Sequence, residues 1–138
     1  MSKTSVKIWD FNKGTRKIAI FKNGTINRNA VAAFQRGQCH SLALAIHSII
    51  GWPIYGIIGT GNSKDSPGHL VVKNPRNGGY IDINGTGAVG RWRKRWGPVA
   101  LCSVKPEDVY KFDAYLPPDV KRALPFAKRI LKNLGVRT

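Results

Sequence analysis

Apolar residues along the chain fall into short runs separated by turns, with one long exception. "SVKIWDF" (5–11) and "RKIAIFKNG" (16–24) read as strands, with "NKGT" as the turn between them. "NRNAVAAFQRG" (27–37) reads as a short helix stopped by Gly37. "PIYGIIGTG" (53–61), "HLVVKN" (69–74), "GYIDING" (79–85) and "PVALCSV" (98–104) read as further strands. "GAVGRWRKRWG" (87–97) reads as a basic, aromatic loop. "KPEDVYKFDAYL" (105–116) begins a helix, with Pro106 early and acids in its first turn. "PPDVKRALPFAKRILKNLG" (117–135) is a basic helix expected to kink or break at Pro125. Strands joined by short turns, following a helix, predict an α+β fold with an antiparallel sheet.

The exception is "RGQCHSLALAIHSIIG" (36–51). It predicts a helix from Cys39 to Ile50, with Gly51 just past its end. Leu42, Ala43, Leu44, Ala45, Ile46, Ile49 and Ile50 go most of the way round it, so it belongs in the middle of a domain. Its start has no Ser, Thr, Asp or Asn cap, because Arg36, Gly37 and Gln38 precede Cys39. The first backbone N–H groups therefore lack their usual side-chain partner, and the positive end of the helix falls on Cys39. Gly37 permits a sharp approach to that end.

The turn "NPRNG" sets the register of the following hairpin. Asn74 and Pro75 suit the first two positions of a type I turn, and Gly78 suits the left-handed region. A loop of 75–78 pairs Asn74 with Gly79, so that Val71 faces Asp82. His69 and Asp82 then share a face as diagonal neighbours, roughly 7–8 Å apart. A loop of 74–77 would put them directly opposite. A two-residue turn at 77–78 would move them out of reach.

Three reactive side chains thus have a way to converge: Cys39 at a helix start, His69 at a strand start and Asp82 in the next strand. A thiol attacks a carbonyl as its thiolate, which a helix N-terminus and a nearby imidazole both favour. A carboxylate then orients the imidazole. Amide donors at the open helix start, with Gln38 or Gln35 beside them, suit an oxyanion hole. Taken singly, each residue has an ordinary reading. A lone cysteine on an apolar helix is commonly a small buried hydrophobe, and an aspartate before glycines is commonly a turn residue. His40 and His47 share a helix face, but no paired short spacing of a zinc site is present, so no metal or other cofactor is expected. Adjacent helix positions point about 100° apart, which disfavours His40 as the base for Cys39.

Cys39 in "GQCHSLALAIH", His69 in "GHLVV" and Asp82 in "YIDING" resemble the papain-like and transglutaminase-like cysteine hydrolases, over about residues 35 to 86. In those enzymes a helix carries the nucleophile and a sheet carries His followed by Asp or Asn. The resemblance implies a papain-like domain with a central helix packed on an antiparallel sheet. It also implies thiol acyl transfer on a protein or peptide amide: hydrolysis of a peptide or isopeptide, deamidation or cross-linking. The chain departs from the papain pattern in having Gln35 four residues before the cysteine, Gln38 adjacent to it and His40 after it.

The chain has 138 residues, which suits a single domain over 1–138. Charge adds a second theme. Lys and Arg number 23 against 7 Asp and Glu, for a net charge of +16. That balance predicts attraction to polyanions or to an acidic substrate. Arg91, Trp92, Arg93, Lys94, Arg95 and Trp96 are the candidate contacts, with cations for phosphates and indoles for bases. The competing function is accordingly a basic RNA- or DNA-binding module, or a toxin-like nuclease, working through this loop with Cys39 structural. A third is a purely structural basic protein. The two cysteines, Cys39 and Cys102, make no disulfide framework, and a bond between them is disfavoured in a reducing cell. Residues 1–14 have no apolar run of the kind a secretion signal needs, and the longest apolar stretch is too short to span a bilayer. A cytoplasmic protein is expected, with delivery by a larger carrier as the other route.

Overall fold

The computed structural model describes residues 3–10, 15–22, 24–35, 38–112 and 117–137. Strands β1 (Lys3–Asp10) and β2 (Thr15–Lys22) pair as an antiparallel hairpin. The "NKGT" turn expected between them lies mostly outside the described residues, as does Gly37. Helices α1 (Arg28–Gln35) and α2 (Cys39–Ile50) follow. Next come β3 (Ile54–Ile58), β4 (His69–Lys73), β5 (Tyr80–Asp82) and the short β6 (Gly85–Thr86). Helix α3 (Ala88–Trp96), strand β7 (Ala100–Val104), the single turn α4 (Pro106–Val109) and helix α5 (Val120–Asn133) complete the order. The fold is α+β, as the hydrophobic pattern predicts. Strands β3 to β7 form a five-stranded antiparallel sheet in the order β6-β5-β4-β3-β7.

Strand alternation divides the core into two parts. Ile54, Leu70, Val72 and Ile81 point to one face and join the large cluster built on α1, α2 and α5. Ile57 and Val71 point to the other face, where Ala88, Val89 and Trp92 of α3 cover them. Helix α2 is buried from Cys39 through Ile46, as its near-continuous apolar surface requires. It ends at Gly51, whose φ of 75° closes the turn through a hydrogen bond from its N–H to the His47 carbonyl. His47 reinforces this end, its Nδ1 lying 2.8 Å from the Trp52 carbonyl.

Two expectations are corrected. Residues 87–97 form a helix rather than a loop. Gly87 and Gly97 bound it, and Ala88, Val89 and Trp92 make an apolar stripe that packs on the sheet. Tertiary burial of that stripe outweighs the poor helix propensity of Gly90. Helix α5 also runs through Pro125 without breaking. The missing proline N–H removes one backbone bond, but Ala123, Phe126, Ala127, Ile130 and Leu131 bury a continuous stripe that holds the helix against the core. The helix expected from residue 105 onward is the single turn of α4. It keeps Pro106 and the acids Glu107 and Asp108 where they were expected.

Candidate active site

The hairpin joining β4 and β5 has the register of a 75–78 loop. Val72 pairs with Ile81 and Lys73 with Tyr80. The Asn74 N–H donates to the Gly79 carbonyl (2.7 Å) and the Gly78 N–H to the Asn74 carbonyl (2.8 Å). The Asn74 side chain accepts from the Arg76 N–H (2.9 Å), and Gly78 has φ 72°. His69 and Asp82 therefore share a face as diagonal neighbours, and their side chains meet. His69 Nε2 lies 3.0 Å from Asp82 Oδ2. His69 is fully buried and Asp82 is 3 % exposed, so little water competes for this bond.

Cys39 opens α2 at 5 % exposure. Gln38, at the cap position, gives the helix no side-chain cap. The thiol and the imidazole are electrostatic partners. Burial by itself raises the Cys39 thiol, but the His69 charge, hydrogen bonds from His40 and His69, and the His40 charge outweigh it, and the thiol falls to about 5. Burial by itself lowers His69, but the Cys39 charge, hydrogen bonds to Asp82 and Cys39, and the Asp82 charge raise it to about 9. Between those values the pair is thiolate and imidazolium. His69 Nδ1, the ring nitrogen away from Asp82, has no fully formed hydrogen bond.

Asp82 is held as a carboxylate. Burial raises it, while the hydrogen bond and charge of His69, the Asn84 amide and the Arg91 charge lower it further than burial raises it. Its Oδ1 accepts from the Asn84 N–H (2.9 Å) and from Arg91 Nη2 (2.9 Å).

Helix α3 roofs this arrangement. The Trp92 ring lies 4.6 Å from the His69 ring at 40°, and Trp96 lies 4.2 Å from Trp92 at 48°. Glycines make room for the second indole: a Cβ at Gly68 would meet Asn62 Oδ1 and come within 2.5 Å of Trp96, and one at Gly59 would come within 2.8 Å of it. Arg95 lies over the outer side of Trp92, its Cζ 5.2 Å from the ring centre. Burial takes Trp92 out of the candidate polyanion contacts, while Arg91, its side chain 39 % exposed, and Trp96 keep part of their surface open. Trp92 is buried, Trp96 is half-buried, and Arg91 is tied to Asp82, because the helix turns these positions toward the sheet. Arg93, Lys94 and Arg95 remain exposed.

Of the glutamines expected near an oxyanion, Gln38 is buried and its Oε1 accepts from the Ser41 hydroxyl. Ser41 Oγ in turn accepts from the N–H of Asp119, the cap of α5 (2.8 Å). Gln38 thus also links the start of α2 to α5. Gln35 ends α1, half-buried. Sequence reasoning missed three neighbours of the triad: Arg91 on Asp82, Trp92 on His69, and His40 beside the thiol. The period of Ala88, Val89, Trp92 and Trp96 was the available signal for Trp92, since it marks the inward face of a helix. Both cysteines are free. No cluster of three metal-ligating side chains occurs among the described residues, and no helix among them is long and apolar enough to cross a membrane. Comparison of the chain with family models, with curated proteins and with solved structures gave no match.

Proposed function

We propose that this chain is a thiol-dependent acyl-transfer enzyme of papain-like type, acting on a protein or peptide amide. One observation carries the reading: Cys39, His69 and Asp82 form a buried relay in which the thiol is lowered and the imidazole raised. The Cys39 thiolate attacks the amide carbonyl carbon, and the charge developing on oxygen is met by amide donors at the uncapped start of α2. The His69 imidazolium gives its proton to the departing amine as the carbon–nitrogen bond breaks. A thioester joins the acyl group to Cys39. Neutral His69 then takes a proton from water, which attacks the thioester and releases acid and thiolate. If the second nucleophile is an amine, the outcome is cross-linking. Asp82 keeps the ring oriented throughout and stabilises its charged form. The exposed cations Arg93, Lys94 and Arg95 beside the site, with a net charge of +16, favour an acidic substrate.

The test is the pH dependence of iodoacetamide labelling in a Cys102→Ser background, where Cys39 is the only thiol. Access through a nearly closed site changes the rate but not the pH at which the thiolate forms. Labelling is expected to rise with a midpoint near 5 as the ion pair forms, with a second change near 9 as His69 loses its proton. A single rise near 9, with nothing at lower pH, would remove the nucleophile and return Cys39 to a packing role.

The exposed cations also favour a second reading, a polyanion-binding surface. Lys121, Arg122, Lys128, Arg129 and Lys132 on the outer side of α5 add to it. Retention on heparin should weaken steeply with salt if several phosphates or sulfates are contacted at once. A shallow slope, unchanged in an Arg93→Gln, Lys94→Gln, Arg95→Gln triple variant, would exclude α3 from such contact. Trp92 is not available for base stacking, because it is buried against His69.

A further inference from the structure

Arg91 stands apart from the other cations of α3. Arg93, Lys94 and Arg95 are exposed, whereas the Arg91 guanidinium turns back over the loop that follows Asp82, with its side chain still 39 % exposed. Nη2 donates to Asp82 Oδ1 (2.9 Å) and to the Gly85 carbonyl (3.2 Å), and Nη1 donates to the Thr86 carbonyl (2.8 Å). The planar fork of an arginine suits three acceptors arranged in this way, and a lysine has no equivalent. The chain is shaped to receive it. Gly85 and Gly87 have φ of 84° and 95°, and a Cβ at Gly87 would come within 3.3 Å of Nη1.

We infer that Arg91 is the positioning residue of the triad: its guanidinium aims the Asp82 carboxylate at His69 and supplies the charge that lets thiolate, imidazolium and carboxylate coexist in a buried site. This rests on the reading of Cys39, His69 and Asp82 as a catalytic relay. With Arg91 the four groups alternate in sign and sum to zero. Without it, two anions share one imidazolium in a site closed to water, a charge imbalance that low-dielectric surroundings disfavour. The fork also fixes Asp82 Oδ1, so that Oδ2 is left for the imidazole.

The expected sign is specific. Removing a cation makes the thiolate harder to form and the imidazolium harder to lose, so both midpoints of the labelling profile move upward. In a Cys102→Ser background, Arg91→Gln should raise the lower midpoint by about one pH unit and the upper one in the same direction. Arg91→Lys keeps the charge and loses the carbonyl bonds. It should hold both midpoints close to those of the parent while its melting temperature falls. A merely structural role predicts something else. Loosening the site would move the two midpoints toward each other, thiol up and imidazole down, or leave them in place while stability falls. Either result with Arg91→Gln overturns the inference. Should Arg91→Gln not fold, Arg91→Met, which keeps the apolar stem and removes the charge, is read in its place: a rise of both midpoints supports the charge role, and unmoved or converging midpoints refute it. A parent protein with no midpoint near 5 would instead sink the triad itself, a failure visible before any Arg91 variant is made.

Discussion

Replacing His69 with alanine is expected to move the labelling midpoint of Cys39 from about 5 to about 9 or above. Burial then acts on the thiol with its main opposing charge removed. At pH 6.5 the thiolate fraction falls by roughly 300-fold when the pKa rises from 5 to 9. The observed labelling rate falls less, by about tenfold. A thiolate of higher pKa is intrinsically more nucleophilic, and a Brønsted slope of about 0.4 over four units returns roughly 40-fold. Turnover has no such compensation. It also loses the proton donor for the leaving amine, worth about a hundredfold or more by itself. The two measurements should therefore diverge, with labelling modestly slowed and turnover lost. His40 provides the control, since it also lowers the thiol. A midpoint that stays near 5 in His69→Ala but rises in His40→Ala would transfer the base to His40 and refute the assignment of His69.

The second large effect concerns stability. Phe126→Ala is expected to destabilise the protein by about 3–5 kcal/mol, the range for a fully buried phenylalanine cut back to a methyl. Phe126 has no exposed surface and its ring lies 5.0 Å from that of Phe34, at 53°. It thus joins α5 to α1 at the core that surrounds α2. The cavity would open behind the helix that carries Cys39, while the bond from the Asp119 N–H to Ser41 Oγ still ties α5 to the start of α2. Urea unfolding should show the loss as a lower midpoint at unchanged slope. The labelling midpoint of the folded fraction should stay near 5. A loss under about 1 kcal/mol would mean that the neighbouring side chains collapse into the space. A shifted labelling midpoint would mean that the core behind α2 governs the site more directly than the bonds within it.

The parts of the site legible in the sequence are those set by local chemistry. Gly51 marked the end of α2 because a left-handed residue was needed there, and it has one. The cap position before Cys39 had no suitable side chain, and the helix start is uncapped. The turn "NPRNG" set a pairing in which residue numbers sum to 153, and Val72 pairs with Ile81 in that register. A one-residue slip would have turned Asp82 to the opposite face of the sheet. The turn favoured the meeting of His69 with Asp82, and the observed register is the one it preferred.

The misreadings share a cause. Residues 87–97 looked like a loop because glycines and cations dominate them, and local propensity alone does not favour a helix there. Pro125 looked like a kink or a break for the same kind of reason, and the break does not occur. In both segments an apolar stripe finds a surface to cover, and burial of several side chains outweighs the local penalty. The role of Arg91 lay further from view. Its neighbours Arg93, Lys94 and Arg95 are equally basic, and only the docking of α3 against the sheet decides which one reaches Asp82.

The sequence by itself determined the α+β class, the open start and glycine end of the central helix, and a preferred turn whose register aligns His69 with Asp82, which the pairing of Val72 with Ile81 then selected from the alternatives. These depend on backbone rules acting over a few residues. Tertiary structure alone decided that the thiol lies beside that imidazole, that Trp92 covers it and that Arg91 neutralises the carboxylate. Those contacts join segments 9 to 30 residues apart in sequence, and their strength comes from excluded water, a condition that exists only after the helices have packed on the sheet.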